Sequence, residues 1–168
     1  RREKVIYISL WYFIATFVGV SALFIFNNLS IPTGLVAGVG SWWHSISLYG
    51  GTNDAMVQWW WGHNAVAFVF TSGIIGLIYY FLPKESGQRI FSYKLTLFSF
   101  WGLMFVYIWA GGHHLIYSTT PDWIQTLGSV FSVILILPSW GTAINMLLTM
   151  RGEWNQIKES PMIKFLIL

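Results

Sequence analysis

Tyr107-Ile108-Trp109-Ala110-Gly111-Gly112-His113-His114 closes one long apolar run, and Trp59-Trp60-Trp61-Gly62-His63-Asn64 opens another. Three imidazoles therefore sit at the ends of two hydrophobic segments. Ionisable side chains at membrane depth are costly and usually functional. Fold and site both depend on whether these runs cross a membrane with their histidine ends at one depth.

Composition answers the first half. Of 168 residues, 55% are hydrophobic, 19% aromatic and only 9% charged. A soluble domain carries roughly 25% charged residues, so a polytopic helical membrane protein is expected, with membrane lipid and not nucleic acid as its surroundings. There is no cysteine, which excludes disulfides, thiolate metal sites and iron–sulfur clusters. The chain opens on Arg1-Arg2-Glu3-Lys4 without Met and stops at Leu168 inside an apolar run. It reads as an internal piece of a longer polypeptide.

A run near 20 apolar residues spans a bilayer as a helix. Residues 5–29 form the first such run, ended by Asn27-Asn28-Leu29-Ser30 and Pro32. The loop from 30 to 56 is rich in Gly, Ser and Trp and contains Trp42, Trp43 and His44, read as interfacial. Residues 57–82 form the second span, which Pro83 is expected to stop, and residues 93–117 the third. Thr119-Thr120-Pro121-Asp122 has the pattern of a helix start with a hydroxyl cap. Residues 123–150 form the fourth span, kinked at Pro138 and Gly141, and 162–168 begin a fifth. The expected fold is an all-α integral membrane protein: one membrane domain over 1–168, a helical bundle of four complete transmembrane helices plus the start of another.

All nine Lys and Arg fall at 1–4, 84–94, 151–158 and 164, and the loops at 30–56 and 115–123 have none. With four spans the basic segments share one side, which the positive-inside rule makes cytoplasmic. The N-terminus of the chain is then cytoplasmic, and His63, His113 and His114 all lie toward the outer face. Imidazole suits copper, zinc, iron or nickel; with no thiolate and no nearby carboxylate, copper or zinc fit best. Adjacent residues on a regular helix diverge by about 100°, so His113 and His114 share one ion only if the Gly111-Gly112 turn is distorted. Three histidines hydrogen-bonded to neighbouring helices remain the alternative. Tyr107 lies about 9 Å along a helix from His113, on its cytoplasmic side. Thr71, Tyr79, Tyr80, Thr96 and Ser99 are hydroxyls between the site and the cytoplasm. They suit either proton transfer through bound water or helix–helix hydrogen bonding.

These residues carry a resemblance. Trp61-Gly62-His63-Asn64, the stretch Tyr107 to His114, Pro121-Asp122-Trp123 and Pro138-Ser139-Trp140-Gly141 resemble the catalytic subunit I of haem–copper oxidases, most closely the cbb3 type. The likeness is strongest over residues 56–156. It implies a bacterial inner-membrane terminal oxidase that oxidises cytochrome c, reduces O2 to water and translocates protons. It implies that His63, His113 and His114 ligate copper and that Tyr107 is a redox tyrosine joined to His63. It also implies b-type haems and c-type cytochrome partners. No histidine remains here for axial haem ligation, since His44 lies in a loop. Other haem–copper oxidases take the tyrosine from the position four after the single histidine, which here is Ala67. Two alternatives stand beside this reading. One is a nitric oxide reductase-like subunit, disfavoured because the four spans contain no Asp or Glu. The other is a non-catalytic membrane fragment. For the orientation, a cysteine at Ser47 is expected to be labelled from outside and one at Ser86 to be spared; the reverse pattern would invert the topology.

Overall fold

The computed structural model describes residues 6–33 and 45–167. Trp42, Trp43, His44 and the basic residues before Val5 lie outside the described residues. Helix α1 is Ile8–Asn27, ended by Asn28, whose side-chain amide donates to the Phe24 carbonyl at 2.8 Å. The loop that follows contains a short antiparallel pair, β1 (Ser30–Pro32) and β2 (Ser45–Ser47), in the register Ser30 to Ser47.

Helix α2 runs from Thr52 to Ser86. It begins before the apolar run, so Thr52–Met56 is helical and not loop as expected from composition. Nor does Pro83 stop it. A helical proline orphans the carbonyl four residues back, here that of Tyr79. The Tyr7 hydroxyl from the start of α1 donates to that carbonyl at 3.1 Å, so the helix passes the proline. It ends instead at Gly87, whose φ of 67° only glycine adopts readily. Between Val66 and Ser72 the helix widens into a π segment, which changes the register between the half bearing His63 and the half bearing Tyr79.

The expected third span is only partly regular. Helix α3 covers Tyr93–Tyr107, capped by the Ser92 hydroxyl accepting from the Leu95 amide at 3.2 Å. The chain then tightens into a 3-10 segment, Ala110–Leu115. The fourth span is two helices, α4 (Asp122–Ile134) and α5 (Ile136–Thr149), broken at Leu135 ahead of Pro138. Its start is where the sequence puts it, but the cap is not a threonine hydroxyl. No side chain caps the helix; Gln125 instead ties down the preceding loop, accepting from the Tyr117 amide at 2.9 Å and donating to the Thr120 carbonyl at 2.8 Å. Short helices α6 (Gln156–Glu159) and α7 (Pro161–Ile167) close the chain. Among the described residues, three helices are long and apolar enough to cross a membrane: Ile8–Asn27, Thr52–Ser86 and Asp122–Thr149.

The core runs between α1, the second half of α2, α3 and α5. Tyr12 stands at its centre, stacked on Tyr79 at 5.8 Å and edge-on to Phe100 at 4.9 Å. Phe17, Phe105 and Trp140 turn outward, the arrangement of helices solvated by hydrocarbon or by further helices. The loops flanking α3 and α5 join at one end of the bundle, where Gln88 donates to Glu153 at 3.0 Å and Asn145 clamps both the amide and the carbonyl of Ser92. Ser86 is buried there, its hydroxyl donating to the Leu82 carbonyl at 2.6 Å. A cysteine at Ser86 would be spared whichever way the chain crosses. Exposed Glu85 replaces it: with exposed Ser47 as its pair, outside labelling in a cysteine-free background is expected at Ser47→Cys alone.

Candidate metal centre

The site is built where the α-helical pattern of α3 fails. After Tyr107 the 100° step is abandoned, and the 3-10 segment presents His113 and His114 with ring centres 4.3 Å apart. Three glycines permit this. A Cβ on Gly111 would lie 2.9 Å from the Trp59 carbonyl of α2. One on Gly112 would strike the Ile124 carbonyl of α4, and one on Gly128 of α4 would strike the His113 amide. The turn is thus held backbone to backbone between α2 and α4, closer than any side chain allows. Asn64 ties the other edge, its amide donating to the Trp60 carbonyl at 2.8 Å and to the Ile108 carbonyl, past the end of α3, at 3.2 Å.

His63 enters from α2. Its ring centre lies 4.6 Å from that of His113 and 5.3 Å from that of His114. One ring nitrogen from each of the three lies within 4.8 Å of the others. His63 Nδ1 and His114 Nε2 are 3.2 Å apart, while His63 Nε2 is buried without a hydrogen bond. Trp59 stacks on His114 at 4.4 Å and 17°. His113 Nδ1 meets the Ser132 hydroxyl of α4. The three histidines singled out in the sequence therefore gather in one place.

Tyr107 lies beside them, its ring centre 4.8 Å from that of His63 and its hydroxyl 3.4 Å from Thr71 Oγ1. The remaining hydroxyls divide. Tyr79 is buried and its hydroxyl meets the Asn145 amide at 3.5 Å. Thr96 is buried but donates to the Tyr93 carbonyl of its own helix. Ser99 is buried beneath Gly141. Tyr80 faces outward under Lys84, away from the others. Among the described residues these groups do not form one continuous chain of hydrogen bonds.

The sequence profile described as Cytochrome C and Quinol oxidase polypeptide I matches residues 1–168. The chain belongs to this family. It is 46% identical over its full length to the Cbb3-type cytochrome c oxidase subunit CcoN1 of Stutzerimonas stutzeri, covering 34% of that protein. It is 45% identical to cytochrome c oxidase subunit 1 of Rhodobacter capsulatus, covering 31%. It is 44% identical to the bacteroid cytochrome c oxidase subunit 1 homolog of Bradyrhizobium diazoefficiens, covering 30%. The chain thus spans about a third of the length of the curated relatives it matches. Family and relatives agree with the resemblance carried by the histidine and tyrosine motifs. They place the chain in the subunit I family of haem–copper oxidases, and the three long apolar helices agree with a multi-pass membrane protein.

Asn64, Trp59, Gly128 and Ser132 act at or near the site without having been singled out in the sequence for such roles. Gly128 and Ser132 sit in an apolar helix with nothing local to mark them. Gly128→Ala is expected to force α4 off the histidine turn and cost about 1–3 kcal/mol. Gly50→Ala, with nothing within 4 Å of the new methyl, should be near neutral. Thermal unfolding of the complete subunit in detergent checks this, and equal midpoints would show that the close approach is not needed.

Proposed function

We propose that this chain carries the copper half of the oxygen-reducing centre of a cbb3-type cytochrome c oxidase. The observation that supports it most is the gathering of His63, His113 and His114 beside Tyr107. The donor set fits the metal: three neutral-capable imidazoles, no thiolate and no carboxylate in the cluster. The 3.2 Å between His63 Nδ1 and His114 Nε2 is also near the spacing of two nitrogens each about 2.0 Å from one ion. His63, His113 and His114 would hold the copper, which together with a haem iron would supply electrons to bound O2. The b-type haems would take their axial ligands from outside this stretch. Electrons would come from c-type cytochrome subunits.

Tyr107 adds what the metals lack. A phenol gives up one electron and one proton together, so it can complete a four-electron reduction without release of partly reduced oxygen. His63 Nε2, buried and without a hydrogen bond, is the imidazole nitrogen available for a covalent link to the tyrosine ring. Forming that C–N bond removes two hydrogens, for which O2, the substrate, is the acceptor. Thr71, in contact with the Tyr107 hydroxyl, would pass it protons carried past Tyr79, Thr96 and Ser99 by bound water, which would bridge the gaps between these side chains. Proton translocation belongs to the same reading.

The topology follows. Residues 1–168 form a single membrane domain with four crossings. The third is α3 plus its 3-10 end, shorter as a regular helix because the site replaces its last turns, and α7 opens a fifth. The basic loops at 84–94 and 151–158, gathered at one end of the bundle, and with them the N-terminus would face the cytoplasm across the bacterial inner membrane. In the complete oxidase, alanine at His63, His113 or His114 is expected to remove copper and activity while haem content persists. Tyr107→Phe should keep copper and haem but lose nearly all oxygen reduction, and peptide mass spectrometry should find the Tyr107 and His63 peptides joined, two hydrogens lighter than their sum. Full copper occupancy in all three histidine variants would overturn the metal assignment. Normal turnover of the Phe variant would overturn the role of Tyr107.

A further inference from the structure

Ser132 is one turn beyond Gly128 on α4, and its hydroxyl makes two contacts. It lies 2.6 Å from the Gly128 carbonyl and also meets His113 Nδ1. A carbonyl oxygen only accepts, so the single hydroxyl proton must go to Gly128. The oxygen then faces His113 with a lone pair, and Nδ1 must carry the hydrogen. A neutral imidazole has one N–H, so Nε2 keeps the lone pair. Metal binding needs that lone pair, and an imidazole of the wrong tautomer offers it in the wrong direction.

We propose that Ser132 is the positioning residue that fixes the tautomer and ring orientation of His113 for metal binding through Nε2, with the Gly128 carbonyl directing the hydroxyl. The proposal rests on the copper reading given above. Gly128 serves twice: lacking a Cβ it lets α4 reach the His113 amide, and its carbonyl sets the direction of the relay. The other two histidines are held differently. The contact between His63 Nδ1 and His114 Nε2 allows either nitrogen to donate, so it selects no tautomer. His114 is held by the flat stack with Trp59, which fixes a plane but not a proton. At His113 the protonated nitrogen is dictated, through the Ser132 hydroxyl, by the Gly128 carbonyl. A ligand with one nitrogen committed to a partner binds its metal more tightly, and loss of such a partner typically weakens affinity about 10–100-fold.

The test uses the complete oxidase and compares Ser132→Ala, Ser132→Thr and Ser132→Val. Copper affinity is read by chelator competition, and the copper–nitrogen couplings by electron paramagnetic and electron–nuclear double resonance, with haem content as the assembly check. Ser132→Ala is expected to bind copper about 10–100-fold more weakly and to show altered nitrogen couplings at unchanged haem. Ser132→Thr should restore both, and Ser132→Val, of the same shape without the hydroxyl, should not. If Ala fails to assemble, the Thr and Val pair carries the comparison. Wild-type affinity and couplings in Ala or Val, or equal defects in Thr and Val, would overturn the role of the hydroxyl. His113→Ala separates the two levels. Copper lost there but retained normally in Ser132→Val leaves the metal reading standing and removes this proposal; copper retained in His113→Ala alone also removes this proposal, and copper retained in all three histidine variants removes both.

Discussion

Backbone meets backbone where α4 crosses the histidine turn, and the rest of the site depends on that contact. An α-helix continued through residues 108–115 would point His113 and His114 apart. A 3-10 turn sets neighbours about 120° apart and does not align them by itself; the two rings meet, 4.3 Å centre to centre, in a turn wedged between α2 and α4, and that wedging needs room. Glycine at 111, 112 and 128 supplies the room, because each Cβ would meet main-chain atoms that cannot move aside as a side-chain tip could. The cluster is thus a property of three glycines in two segments as much as of three histidines.

Breaking a helix inside hydrocarbon leaves polar backbone that water cannot reach, and each such group must find a partner within the protein. The partners here come from distant segments. Asn64 of α2 takes the Ile108 carbonyl, Tyr7 takes the carbonyl that Pro83 frees, and Asn145 takes both polar groups of Ser92. Each lets an irregularity of the backbone persist, and each ties together segments far apart in the chain. The same economy holds at the site, where Ser132 satisfies a carbonyl of its own helix and orients a histidine of another.

Much was legible before any coordinates. The apolar runs, the segregation of all nine basic residues and the absence of cysteine fixed the class of protein and the kind of metal chemistry open to it. The motifs at His63 and at Tyr107 to His114 pointed to the family that the full-length match then showed. Helix ends were less legible. Pro83 reads as a stop because its local effect is to lose a hydrogen bond, and only the fold reveals a tyrosine 76 residues earlier that replaces it. Thr120 reads as a cap because threonine often is one, yet here no side chain caps α4, and Gln125 reaches back to hold the Thr120 carbonyl instead.

By itself, then, the sequence determined composition, the apolar runs and the chemical identity of the candidate donors, since these depend on residue type and on its distribution along the chain. Tertiary structure alone decided which imidazoles meet and which side chains face their nitrogens. Both depend on the distance between segments far apart in the chain. That distance is set by glycines whose role is to be absent of side chain, and by single hydroxyls and amides such as Ser132 and Asn64, whose partners no local pattern announces.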